Sequence, residues 1–194
     1  MSTDLFGEPV IAGLDYRPDF ISEAEERDLI GHLSSEELLP FRFHGWTGKR
    51  LTRTYGWRYD FDDSSFAPAE PIPDWLQPLR SRSAGFVGIR PEDFAHVLLV
   101  RYDPGAGIGW HRDRQQFGTV AGVSLCSPAV LRFRRRRPGG FDRTNVEVEP
   151  RSAYWLSREA RHEWEHSIAP GDTLRFSITF RTLSEKGRRL ADGF

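Results

Sequence analysis

The segment Leu174–Leu183 (LRFSITFRTL) constrains this chain more than any other stretch. It has no glycine or proline and is rich in β-branched and aromatic residues, so it reads as a strand. Alternation puts Phe176, Ile178 and Phe180 on one face and Arg175, Ser177, Thr179 and Arg181 on the other. The apolar face must pack against something apolar. The polar face has two outcomes: water, as on an ordinary amphipathic strand, or a barrel interior in which two arginines await an anion.

Five further segments read as short strands set between Gly/Pro turns: Ala95–Tyr102, Thr119–Leu125, Ala129–Arg134, Thr144–Val148 and Ala153–Leu156. Before them the pattern is helical. Ser22 precedes Glu25 by three residues, a capping-box signal for a helix over Ser22–His32 with an acid-rich first turn. A second helix is predicted over Pro73–Phe86, with Pro78 arguing for a break. Helices followed by a run of strands imply an α+β fold, mainly β, with a β-rich C-terminal core.

A length of 194 residues with 38% hydrophobic content suits one compact domain, and 13% aromatics argue against disorder. The net charge of −1 leaves any nucleic-acid affinity to a local basic patch. Cys126 is the sole cysteine, which excludes an intrachain disulfide framework and fits a reducing, cytoplasmic setting. The longest apolar run, Val97–Val100, is far too short for a bilayer span, and MSTDLFGEPV carries no secretory pattern. The expectation is therefore a cytoplasmic protein without a membrane partner.

His111-Arg112-Asp113 is an H-x-D pair whose ends project to one side of an extended segment. With a distant histidine it makes the two-histidine, one-carboxylate face that suits non-heme iron(II). His166 is the candidate. Pro170-Gly171 follows it and signals a hairpin. Symmetric pairing about that turn sets Ala169 against Asp172, Ser167 against Leu174 and His166 against Arg175. A dicarboxylate chelating the metal could then reach Arg175 with its far end.

Three other features compete for meaning. His162-Glu163-Trp164-Glu165-His166 spells H-E-x-x-H, which binds zinc in metalloproteases when it is helical. The basic run Arg132–Arg137 (RFRRRR) is either a phosphate contact or a solvated strand end. Tyr55, Trp57, Tyr59 and Phe61 recur with period two between Thr52 and Phe61. They form either the apolar face of a strand or, with Arg53, a lid that stacks on unpaired bases.

RYDPGAGIGWHRD, LSREARHEWEHSI, LRFSITFRTL and the upstream RLTRTYGWRYDF together resemble the AlkB family of iron(II)- and 2-oxoglutarate-dependent dioxygenases, over about Phe20 to Leu183. The resemblance implies one domain over residues 1–194 with a double-stranded β-helix (jelly-roll) core at 95–183. N-terminal helices would support it, and a substrate-recognition lid would lie near 41–62. It implies metal ligands His111, Asp113 and His166, and contacts to 2-oxoglutarate from Tyr102, Arg175 and Arg181. Arg53, Tyr55, Trp57, Trp110 and Arg161 become candidate substrate contacts. The implied cofactors are Fe(II), 2-oxoglutarate and O2. The implied reaction is oxidative removal of a methyl group with release of succinate, CO2 and formaldehyde. The implied partner is an alkylated nucleic acid or a methylated protein. Where the family has an asparagine two residues before the tyrosine, this chain has Val100, so one polar contact to the oxo acid is withdrawn.

Overall fold

The computed structural model describes residues 11–43 and 45–194. The N-terminal decapeptide judged free of a secretory pattern lies outside the described residues, as does His44 within the expected lid. No helix among the described residues is long and apolar enough to cross a membrane.

Thirteen strands and four α-helices make up the described chain. In order they are β1 (Leu14–Arg17), α1 (Glu23–Ser35), β2 (Leu39–Phe43), β3 (Trp46–Tyr55), β4 (Trp57–Tyr59), β5 (Phe66–Pro68) and α2 (Gln77–Val87). Then follow β6 (Phe94–Tyr102), β7 (Ile108–His111), β8 (Phe117–Leu125), β9 (Ala129–Arg137), β10 (Gly140–Val148) and β11 (Ala153–Leu156). The last are α3 (Arg158–His162), β12 (Glu165–Ile168), β13 (Arg175–Leu183) and α4 (Glu185–Ala191). A seven-stranded sheet runs β1-β11-β8-β13-β6-β3-β2, and a four-stranded sheet runs β10-β9-β12-β7. This is a mainly β, α+β fold of the double-stranded β-helix type.

Two apolar cores follow from strand alternation. The outer face of the large sheet, carrying Val97, Leu99, Val123, Phe176, Ile178 and Phe180, packs against Leu29 and Leu33 of α1 and Leu79 and Val87 of α2. Burying one such side chain is worth about 1.5–3 kcal/mol. The inner face of the same sheet meets the small sheet through Val100, Tyr102, Val120, Leu131, Phe133, Tyr154 and Ile168. Arg175, Ser177, Thr179 and Arg181 are all buried, so the polar face of β13 lines the barrel interior instead of meeting water.

Both predicted helices form. The capping box at Ser22 and Glu25 starts α1, which runs three residues beyond the predicted end. Pro78 sits in the first turn of α2 instead of breaking it, because a first-turn proline surrenders no helical hydrogen bond. The expected hairpin at Pro170-Gly171 is absent. β12 pairs with β7 and β9 in the small sheet, while β13 pairs with β6 and β8 in the large one. The turn therefore carries the chain from one sheet to the other. His166 stands opposite His111 and Phe133, and Arg175 stands opposite Tyr102.

Candidate active site

The site lies in the barrel interior, where the end of β7 meets β12. His166 and His111 are directly paired, with ring centroids 4.3 Å apart. The register shifts between that pair and Ile168–Ile108, so three residues of β7 span two of β12. This bulge turns Ile108 and His111 toward the same side. The Nδ1 of His111 donates to the Gly109 carbonyl at 2.9 Å, leaving its Nε2 with a free lone pair. Asp113 follows just past the strand, with Oδ2 3.8 Å from Nε2 of His166.

The far side of this cluster is cationic. Arg181 grips Oδ1 of Asp113 through Nε at 3.0 Å and Nη2 at 2.7 Å. It is itself steadied by His96, its partner across β6, with Nη1 3.5 Å from Nδ1. Burial disfavours the Asp113 carboxylate, but Arg181 together with His166 and His111 holds its pKa below the usual carboxylate range. His166 is lowered to about 3 by burial and by neighbouring His111, and burial lowers His111 and His96 too. Buried neutral imidazoles beside an ionised carboxylate are the protonation state in which these groups bind a divalent metal.

Arg175 is 3% exposed and lies 5.2 Å from the Tyr102 ring. Its Nε donates to Ser124 Oγ at 3.1 Å. Among the described residues, its Nη1 and Nη2 make no hydrogen bond, and neither does Oδ2 of Asp113. A buried fork with two unsatisfied nitrogens is costly unless an anion fills it. A cavity of about 230 Å³ opens on Arg175 and Tyr102, walled by Ala106, Ile168 and Pro170. The donor set thus suits a cation and the fork suits a carboxylate. Among the described residues, no group of three His, Cys, Asp or Glu side chains stands in a metal-binding arrangement. Val100 is buried in the inner apolar cluster and offers the pocket no polar atom.

The candidate substrate residues scatter. Tyr55 is buried in the outer core and its hydroxyl donates to Glu36, while Arg53 pairs with Glu36 and Glu70. Both stand opposite Val97 and Leu99 on the helix side of the large sheet, away from the pocket. Trp57 stacks on Phe66 at 5.0 Å on the flank of the barrel. Trp110 alternates away from His111 and lies under Arg132 and Arg134 on the outside of the small sheet. Arg161 is 5% exposed and donates to the carbonyls of Asp113, Arg114, Phe117 and Gly118. It latches the loop after the H-x-D pair with four of its five N–H donors. The H-E-x-x-H reading also fails, since His162 ends a one-turn helix and His166 lies in a strand. In the basic run, Arg134, Arg135 and Arg137 pair with Glu165, Glu159, Glu163 and Asp142, which favours a solvated strand end.

Residues 13–181 match the 2OG-Fe(II) oxygenase superfamily. An alkylated DNA repair protein ALKBH8 homolog of Arabidopsis thaliana is 24% identical over 184 residues, covering 81% of this chain and 51% of that protein. A probable RNA/DNA demethylase ALKBH6 of Danio rerio is 32% identical over 124 residues, covering 62% and 49%. The chain spans about half the length of these two relatives. The structure of OsALKBH1 superposes with a TM-score of 0.66 over 90% of this chain and 99% of that one, at 14% identity, which speaks for the fold. The chain belongs to the 2OG-Fe(II) oxygenase superfamily and is a dioxygenase dependent on Fe(II), 2-oxoglutarate and O2. Within that superfamily, the relatives it resembles include AlkB homologues.

Proposed function

We propose that this chain removes methyl groups from nucleobases of DNA or RNA, holding Fe(II) through His111, Asp113 and His166 and 2-oxoglutarate through Arg175 and Tyr102. The observation that carries the assignment is the pair of vacant donors on buried Arg175, in the same barrel interior as the two histidines and the bare Oδ2 of Asp113. Residues 95–183 serve as the catalytic core of one oxygenase domain.

Bound there, the metal and oxo acid supply C–H hydroxylation coupled to decarboxylation to succinate and CO2, and a hydroxylated N-methyl group then leaves as formaldehyde. The protein's own part is positional. Arg181 keeps Asp113 ionised and fixes one of its oxygens, leaving the other for the metal. The Gly109 carbonyl sets the tautomer of His111. Arg175 presents two parallel N–H donors to a carboxylate, and Tyr102 stands beside it. The apolar inner cluster of Val100, Ile168 and Phe133 keeps water from the reacting atoms.

A panel of methylated single-stranded oligonucleotides and methylated peptides, assayed for formaldehyde with Fe(II) and 2-oxoglutarate, tests the substrate assignment. Release from oligonucleotides is expected; turnover confined to peptides contradicts it.

A further inference from the structure

The floor of the barrel between Arg175 and Arg181 is set by strand register. Ser177 stands opposite Ser124 of β8, Thr179 opposite Gly122 and Arg181 opposite Val120. An oxo acid spanning the Arg175 fork and the Asp113–Arg181 pair therefore lies over the rows of Ser177 and Thr179. On the β6 side those rows carry Val100 and Leu98, neither of which has a polar side-chain atom.

From the β11 side the same rows are reached by Tyr154. It stands opposite Gly122, is 7% exposed and belongs to the inner cluster with Val100 and Tyr102. A Cβ on Gly122 would overlap Cζ, Oη and Cε1 of Tyr154. The phenol end of the ring thus fills the space that a side chain at 122 would take, next to the row of Thr179. Gly122 has no left-handed φ, so its missing side chain serves clearance and not a turn.

Arg175 leans the same way. Its Nε donates to Ser124 Oγ, one row along the floor toward Arg181. Burial raises the pKa of Tyr154, and Arg175 is the first charge acting against that rise, with Asp113 and Arg181 also acting on it. The phenol is therefore a neutral O–H between the fork and the metal cluster. Among the described residues it makes no hydrogen bond. A buried tyrosine hydroxyl ordinarily has a partner, and phenylalanine would fill the same space without stranding one. The Tyr154 hydroxyl and the two Nη groups of Arg175 are all donors, and no acceptor of this chain stands between them.

We infer that Tyr154 is a co-substrate-positioning residue, its hydroxyl donating across Gly122 to the same far carboxylate of the oxo acid that the Arg175 fork holds. The inference rests on the oxygenase site proposed above and names a residue that selects a dicarboxylate there. A phenol O–H donates to a carboxylate without adding charge to an interior that already holds Arg175 and Arg181. It supplies from β11 the polar contact that Val100 does not supply from β6.

The test is isothermal titration of 2-oxoglutarate into the full chain loaded with Mn(II). A parallel titration uses 2-oxopentanoate, which has the same carbon chain with a methyl group in place of the far carboxylate. Wild type is compared with Arg175→Lys and with Tyr154→Phe, which keeps the ring over Gly122 and removes only the hydroxyl. Tyr154→Phe is expected to bind 2-oxoglutarate about tenfold more weakly, the loss of one hydrogen bond to a charged group. Its affinity for Mn(II) alone and for 2-oxopentanoate should match wild type. Unchanged 2-oxoglutarate affinity in Tyr154→Phe, beside a loss in Arg175→Lys, overturns the inference and leaves the oxygenase site standing. An equal loss for both oxo acids, or a loss of Mn(II) affinity, also overturns it, because the phenol then shapes the pocket without touching the far carboxylate. Wild type that takes up no 2-oxoglutarate overturns the site reading, and the Tyr154 assignment with it.

Discussion

Asp113 and Arg175 hold opposite charges in one interior, and each keeps buried polar atoms without a partner. Replacing Asp113 by alanine should abolish turnover and leave the fold intact, measured by formaldehyde release beside circular dichroism. In Arg175→Lys a single ammonium replaces a two-pronged fork. The dissociation constant for 2-oxoglutarate in the Mn(II)-loaded protein should then rise by about 10–100-fold, read by isothermal titration. Gly122 is a different kind of constraint. It faces the interior opposite Tyr154, and a Cβ there would overlap the Tyr154 ring. Gly122→Ala should therefore destabilise the barrel by about 1–3 kcal/mol in chemical denaturation, although alanine is ordinarily harmless in a strand. Val100 belongs to the inner apolar cluster, so in the proposed site the oxo acid would lean on Arg175 and Tyr102.

Among the elements, α3 matters through one side chain. Arg161 ties it to the 113–118 loop with four carbonyl contacts. Arg161→Ala leaves those carbonyls unsatisfied, and metal affinity should fall about 10–100-fold even though no ligand is changed. Glu25 works at the start of α1, where it caps the helix and pairs with Arg82 of α2 at 2.6 Å. The hydrogen bond from Arg82 lowers its pKa from 4.5 to about 2. The folded value is depressed, so the contribution is complete above about pH 4.5 and fades as pH falls toward 2. The pair is substantially exposed, so Glu25→Gln should cost only about 1 kcal/mol at neutral pH, and less at pH 3.

Strand faces and the start of α1 were legible at this scale because they depend on local alternation and capping, whereas α2, expected from Pro73, begins at Gln77 without a side-chain cap. The polar face of β13 and the H-x-D pair could be read from neighbouring residues, whereas whether that face met water or the interior was decided only by the fold. Pairing partners could not. Pro170-Gly171 looks the same whether it closes a hairpin or carries the chain between sheets, and the crossing puts His111 rather than Arg175 beside His166. Trp110 and Arg161 looked like substrate residues because composition says nothing of which side a β-bulge turns outward, or of a guanidinium spent on backbone carbonyls. His96 lacks any motif, and only the register of β6 and β13 brings it beside Arg181.

For the whole molecule, the barrel encloses charges that the exterior pairs off, and this shapes its response to acid. His166, His111 and His96 are buried neutral, with pKa values below 6.5. Unfolding lets them take up protons, so the stability of the metal-free protein should decline as pH falls below about 6.5. Arg175 carries a positive charge into the same interior, and in the proposed site the co-substrate would supply its counter-anion. The most direct measurement is anaerobic titration of Fe(II) and 2-oxoglutarate into metal-free protein, following the weak visible charge-transfer band of the chelate. A band that saturates with one equivalent of metal, vanishes in His166→Ala and weakens in Arg175→Ala is the predicted result. No band, or one untouched by His166→Ala, would contradict the assignment of this barrel as the iron and oxo-acid site.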